Sequence, residues 1–425
     1  MVVAPIEEGR EGDLRQLLSS MNHRPGVVNP QNAIIPFGQF DRLHFARIVI
    51  LNDQTISDIT AHGVAPLDVC PALAFLGDCD GPSVDLLADL ATRAGPGLRQ
   101  LFSHCQGAPK DDLVTWMIRH EQPPAIMYVN WTGRTVRQIR EENNLWNALQ
   151  AHLQSNAATY AALQPRQIRD SLKEFVNVEQ QARRLILTAP EGTPLSWRVQ
   201  NLLHAIGVPI ALLFLILVLI PCLPFLAYQL RRREREDPEI APRIDATHAR
   251  QLASLEDHDV TNQFSAIGSV KPGLFRRWIL VVLLWVLNYT TRHIFNRGRL
   301  ARVATIHFAR WVFLDQKRRL FFASNYDGSL DSYMDDFINK VAWGLNLVFS
   351  NGVGYPRTRW LILDGAKDEQ RFKYYIRRHE LPTEVWYNAH PGLTAFDMER
   401  NTRIRWGLEQ AAMTDAEIHQ WLSLL

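Results

Sequence analysis

The pattern of apolar and polar positions falls into blocks that occur twice. His44 to Leu51 is a β-branched and aromatic run, which predicts a strand. Ile306 to Leu314 repeats it and is followed by polar Asp315-Gln316-Lys317-Arg318 and then Leu320-Phe321-Phe322-Ala323, a strand, turn and strand. In the first block the turn is replaced by Asn52 to Cys70, 16 residues longer, a surface loop that can carry function. Helical spacing comes next: Ser83, Leu86, Leu87, Leu90 and Ala91 in one block, Tyr333, Met334, Phe337 and Ile338 in the other. A third strand follows at Ala125 to Trp131 and at Glu384 to Tyr387, then a closing helix at about 142–153 and 403–412. Each block therefore reads strand-strand-helix-strand-helix. That is an α+β unit with an antiparallel sheet covered by helices on one face.

The blocks are also related residue by residue. His44-Phe45-Ala46-Arg47 recurs as His307-Phe308-Ala309-Arg310, and Asp80 to Pro109 aligns without a gap on Asp327 to Pro356, nine of 30 positions being identical. The identities include Asp80-Gly81 with Asp327-Gly328 and Gly97-Leu98 with Gly344-Leu345. Arg119-His120-Glu121 returns as Arg378-His379-Glu380, and Tyr128 as Tyr387. A duplicated unit buries its open sheet face most simply against its twin. The organisation expected is an N-terminal arm (1–40), a first repeat (41–165), a helical linker (166–300) and a second repeat (301–425).

The linker holds the most hydrophobic residues. Ala205 to Tyr228 is 24 residues without a charge, about 36 Å as a helix, and is followed by Arg231-Arg232-Arg233-Glu234-Arg235. Residues 278–291 form a second uncharged stretch, about 21 Å as a helix, flanked by Arg276-Arg277 and Arg292. The second stretch also suits a buried core helix or strand. The N-terminus has no basic and apolar leader, and the arginine run favours the cytoplasmic side. With twin repeats on one side of the membrane, these features point to an embedded hairpin turning near Pro221 and Pro224, both repeats facing the cytoplasm. The lipid bilayer is the expected partner.

Composition adds exclusions. Hydrophobic content of 47% and charged content of 21% describe an ordered chain, and a net charge of +2 gives no general attraction to nucleic acid. Cys70, Cys79, Cys105 and Cys222 form neither a CxxC pair nor a zinc spacing, and read as reduced thiols. No phosphate loop, nucleophile elbow or zincin helix is present.

Two facing α+β units resemble the dimeric α+β barrel superfamily, and Gly77-Asp78-Cys79-Asp80-Gly81 resembles the Gly-x-x-Asp-Gly pattern of its dye-decolourising peroxidases. The resemblance implies two ferredoxin-like repeats closing as an α+β barrel, haem as cofactor, and Asp80 as the acid assisting peroxide cleavage. Asp327 is the second-repeat counterpart. The proximal-histidine role falls to His307, His379 or His390, and the distal-arginine role to Arg310 or Arg357. The residues by themselves also suit a turn, with Asp as a helix cap and Gly at positive φ. Two functions follow: a membrane-associated peroxidase-type oxidoreductase binding haem or another hydrophobic ligand, or a non-enzymatic membrane scaffold that binds lipid or a small ligand.

Overall fold

The computed structural model describes residues 1–110, 112–240 and 243–425. The chain divides into two compact units, one of residues 1–132 and 193–389, the other of residues 133–192 and 390–425. This division departs from the expected one. The closing helices α4 (Val136–Ser155) and α11 (Ala395–Glu409) leave their repeats and pack together in the smaller unit. There Glu142, buried between them, accepts from Thr402 Oγ1 at 2.6 Å and Gln138 Nε2 at 2.8 Å. The helices α5 (Pro165–Gln181) and α12 (Asp415–Leu422) complete that unit.

The larger unit is mixed α+β with two four-stranded antiparallel sheets. The strands of these two sheets are β1 (Val2–Pro5), β2 (Leu43–Leu51), β3 (Ala72–Cys79), β4 (Ile126–Val129), β5 (Thr261–Ser269), β6 (Ile306–Leu314), β7 (Arg319–Asp327) and β8 (Thr383–Asn388). The first sheet runs β1-β3-β2-β8 and the second β4-β6-β7-β5. Each sheet therefore takes its last strand from the other half of the chain. Tyr387 of β8 sits opposite Ala46, and Tyr128 of β4 sits opposite Ala309, so the exchange is reciprocal and in the same register. Two single bridges run from an edge strand of one sheet to the segment leading into the other sheet's exchanged strand, Val2 with Glu121 and Ala266 with Glu380. The ladders themselves remain open, and the sheets are not closed into one barrel.

The edge strands β1 and β5 correct the expected arm and linker, since residues 1–40 and 231–277 each supply a strand. β1, Val-Val-Ala-Pro, is too short to stand out, and polar residues hide β5. β5 is Thr-Asn-Gln-Phe-Ser-Ala-Ile-Gly-Ser, yet nearly all of it is buried; Thr261 donates to Asp327, Asn262 to the Asp259 and Gly328 carbonyls and Gln263 to the Leu255 carbonyl, and Ser265 accepts from Arg47 of the other sheet. The chain order of the two halves then matches: edge strand, helix, two central strands, helices, exchanged strand. The helices are α1 (Glu11–Ser20), α2 (Ser83–Phe102) and α3 (Leu113–Arg119) in the first half, and α8 (Leu274–His293), α9 (Leu330–Phe349) and α10 (Glu369–His379) in the second. Even the helical irregularity repeats. Ala94 in α2 and Val341 in α9, at corresponding positions, both leave helical dihedrals.

Three apolar layers hold the unit. Ala46, Ile48 and Ile50 face α1 and α2 through Leu14, Leu18, Leu90 and Leu98. Ala309, Trp311 and Phe322 face α8 and α9 through Leu280, Leu284, Tyr333 and Phe337. Between the sheets lie Val49, Leu51, Ala74, Leu76, Ile267, Val312, Phe321 and Ala323. Each fully buried Leu, Ile, Val or Phe contributes about 1.5–3 kcal/mol relative to exposure.

Among the described residues, two helices are long and apolar enough to cross a membrane, Leu195–Glu236 and α8. The first is α6 (Leu195–Leu219), a single 3-10 turn (Ile220–Cys222) and α7 (Leu223–Glu236). The second apolar stretch is thus part of an amphipathic helix, with Leu280 and Leu284 fully buried on the sheet and Leu274 and Trp278 exposed.

Candidate functional site

Four arrangements in the larger unit bear on chemistry. The first is a pair of His–Asp contacts. His44 Nε2 lies 2.9 Å from Asp80 Oδ1, and His307 Nε2 lies 2.6 Å from Asp327 Oδ1. Both histidines sit on register shifts, between Leu43 and Phe45 and between Ile306 and Phe308. Simple alternation places His44 with Ala46 on the helix side. The bulge turns the ring toward the other sheet, 5.4 Å from the Phe308 ring, and His307 likewise meets Phe45 at 5.5 Å. Asp80 is not a helix cap: Pro82 occupies that position in α2, and in α9 it is Ser329. The glycine half of the turn reading holds, with Gly81 at φ +82° and Gly328 at φ +87°.

The second is a buried polar cluster between the sheets. Arg310 pairs with Asp78 and donates to the Gly77 carbonyl at 3.0 Å. Arg47, its counterpart, donates to the Phe264 carbonyl at 2.6 Å, Ser265 Oγ at 2.9 Å and the Ser324 carbonyl at 2.9 Å, and also bonds Asn325 Oδ1. Asn325 Nδ2 donates to Asp78 Oδ2 at 2.9 Å. Burial pushes the Arg47 pKa down to about 9, with Asp78 opposing the shift. Asp78 and Asn325 occupy equivalent positions, so two guanidiniums share one carboxylate. The amide in place of a second carboxylate can donate to the first.

The third is a small polar cleft lined by Asn52, Asp53, His248, Arg378, His379 and Glu380. His248 Nε2 lies 2.9 Å from the Glu380 carbonyl, and His379 Nδ1 lies 2.8 Å from the Tyr375 carbonyl. Burial lowers the His379 pKa. Burial, and then Glu256 beside it, raise the Glu380 carboxyl well above its usual range. The cleft brings the long insertion of the first half against the corner of the second.

The fourth is an apolar cavity of about 100 Å³ that opens outward. Its floor is the outer face of the second sheet at Ile126, Phe264, Trp311 and Phe322. Its walls include Leu287 and Thr291 of α8, Phe295 and Leu300 of the following loop, and Met334, Phe337, Val341 and Gly344 of α9. At the equivalent place in the first half there is no room. A Cβ on Gly97 would stand 2.0 Å from the Ile34 carbonyl oxygen, whereas nothing lies within 4 Å of one built on Gly344. Residues 21–42, between α1 and β2, are the cause. Ile35, Phe37 and Phe40 are fully buried, and Phe37 stacks on Tyr387 at 5.2 Å. The shorter connection 294–305 leaves the matching space open.

The residues singled out in the sequence thus fall into separate places. Asp80, Asp327 and His307 form the two His–Asp contacts, Arg310 belongs to the inter-sheet cluster, and His379 lines the cleft. Arg357 lies outside all four, where its Nε donates to the Asp237 carbonyl at 3.0 Å, and His390 belongs to the smaller unit. A haem, which the peroxidase resemblance implies, does not fit these residues. His307 Nε2 is taken by Asp327, and the space beside it between the sheets is filled by Phe45 and Phe308. His379 presses its ring against Gly268, where even a Cβ would meet His379 Cδ2 at 2.6 Å. The large cavity has neither His nor Cys in its lining. No group of His, Cys, Asp and Glu suited to a metal ion occurs among the described residues. The cavity was not foreseen. Its signal in the sequence was the shorter connection before β6 facing an unchanged glycine. No family model, curated protein or solved structure matches the chain.

Proposed function

We propose that this is a membrane-associated protein that binds an elongated apolar ligand, such as an alkyl or acyl chain, in the cavity of its second half. The observation that carries the reading is the cavity itself, walled by Phe, Leu, Met, Val and Trp with two threonines of α8 as its main polar points. Its lining has the character of small-molecule sites, which are mostly apolar with a few polar groups. Each buried methylene adds about 0.8 kcal/mol, so six supply about 5 kcal/mol. Membrane association is supported by the two long apolar helices, one of which, α8, forms a cavity wall. Such a ligand reaches the cavity directly from lipid, and both repeats then face the cytoplasm.

The reading extends to the architecture: the halves are proposed to be ferredoxin-like repeats of α+β-barrel type, and the matching strand order with exchanged last strands supports this. The peroxidase-type reading gains no comparable support, because Asp80 is engaged by His44 and lines none of the cavities described. Titration with a fluorescent polyene fatty acid, displaced by palmitate, tests the proposal. Gly344→Leu fills the cavity without an initial clash, and its expected effect is at least a tenfold loss of affinity with folding intact. Absence of binding by the native protein, or equal binding by the variant, overturns it.

A further inference from the structure

We infer that the long helix enters a single leaflet of the bilayer as a wedge and returns to the side it came from, without crossing. This rests on the membrane association proposed above and not on the cavity's ligand.

The argument begins at the two ends of the helix. Near its start, His204 Nδ1 lies 2.8 Å from His293 Nε2, Tyr289 donates to the Ala205 carbonyl at 3.3 Å, and Arg292 donates to Asn201 Oδ1 at 2.7 Å. At its finish, the buried Glu234 accepts from the backbone amides of Trp360 at 3.0 Å and Leu361 at 2.8 Å. Immediately beyond, Asp237 takes Arg276 at 2.6 Å and Lys271 at 2.7 Å. The first grip holds the C-terminal end of α8 and the second its N-terminal end. The helix is therefore anchored twice on one folded unit.

The lengths do not match. From Arg276 to His293, α8 rises about 26 Å, whereas a straight helix from His204 to Glu236 rises about 48 Å. Side chains cannot absorb that excess while keeping contacts under 3 Å at both ends. The chain must bow outward between the anchors. The bend belongs at the 3-10 turn Ile220–Cys222, where Pro221 and Pro224 remove backbone donors and Leu219 and Cys222 have ψ of −19° and −9°. The helical bonds continue through the turn, Leu223 N donating to the Ile220 carbonyl, so few backbone groups are left for lipid to satisfy.

The bowed segment is apolar on every side. Leu213, Phe214, Leu217, Val218 and Phe225 are all more than half exposed, Val218 at 71%. No single protein groove covers all sides of such a segment, and lipid does. Arg231, Arg232 and Arg235 at its foot, with Arg277 and Arg292 on α8, suit anionic headgroups, each adding about 1 kcal/mol near a charged surface. α8 cannot cross either, because its Leu280 and Leu284 face is packed on the water-soluble sheet. It lies at the surface, with Leu274 and Trp278 outward.

Native Cys222 stands at the apex of the bow and Cys70 on the exposed loop of the first half. The test uses full-length protein in right-side-out and inverted membrane vesicles from expressing cells, probed with a membrane-impermeant maleimide. Cys70 is expected to label in one preparation. Cys222 is expected to stay protected in both until detergent is added. In a Cys70→Ser background, Ser196→Cys and Glu236→Cys are expected to label in the same preparation as Cys70. Labelling of these two positions in opposite preparations overturns the inference and leaves membrane association standing. Recovery of the protein in the soluble fraction overturns both.

Discussion

The first and second halves share strand order, a helix kink at the same residue, and a glycine three positions after it, but the space beside that glycine is filled in the first half and open in the second. At Gly97 the connection before β2 closes over the kink with Ile34, Ile35 and Phe37; at Gly344 nothing does. The frame is the same in both halves, and the difference lies in one connecting loop. A cavity can therefore arise without any change in the sheet or helices that surround it. The polar cluster shows the same logic in charge. One half supplies Asp78 and the other Asn325, and their exchange of a hydrogen bond avoids two facing carboxylates at the sheet interface.

The comparison can be broken most forcefully at that cluster. Asp78→Ala leaves Arg47 and Arg310 buried without their carboxylate, and a loss of about 3–5 kcal/mol is expected in urea unfolding. Asn325→Ala removes a neutral group and should cost about 1–3 kcal/mol. Equal losses would show that the halves are not electrostatically distinct.

The glycines give the next largest contrast. Gly97→Leu drives a side chain into the Ile34 backbone and should destabilise by about 2–3 kcal/mol. Gly344→Leu should stabilise by about 0.5–1 kcal/mol, because its space is free and leucine favours a helix. Thermal unfolding of the two variants reads the difference directly.

The smallest effect concerns Glu380, buried where its counterpart Glu121 is partly exposed. Its raised folded pKa means that the native state holds a proton the unfolded chain has released. The resulting penalty is absent below about pH 4.3, the ordinary glutamate value, and grows as pH rises toward the folded pKa. Glu380→Gln cannot ionise. Its stability relative to the native protein should rise between pH 5 and pH 8, by about 1 kcal/mol or more. A flat profile for Glu380→Gln would remove the effect of burial at that corner.

Much of the frame was legible in the sequence. The repeats of His44-Phe45-Ala46-Arg47 and of the Asp80 block marked equivalent strands and helices, and the β2 and β6 patterns were apolar enough to stand out. The edge strands were not legible, since β1 has four residues and β5 is mostly polar, its polar groups finding partners only once the fold has formed. Strand exchange was hidden because β4 and β8 have the same local pattern whichever sheet receives them. The His–Asp contacts were within reach as residue types but not as partners. Alternation put His44 on the wrong face, and only the bulge brings it to Phe308. The cavity depended on loop length and on what a glycine faces, neither of which a linear pattern reports.

The exchange of last strands also sets a timetable. β2 pairs with β8 near the far end of the chain, so its sheet waits for almost the whole protein to be translated. At about 5–20 residues per second, the delay between β2 and β8 leaving the ribosome is roughly 17–70 s. During that interval β2 presents an unpaired edge, and the apolar wedge emerges before its anchors on α8 exist. A nascent chain built this way needs a membrane or a chaperone beside it before it has a finished sheet.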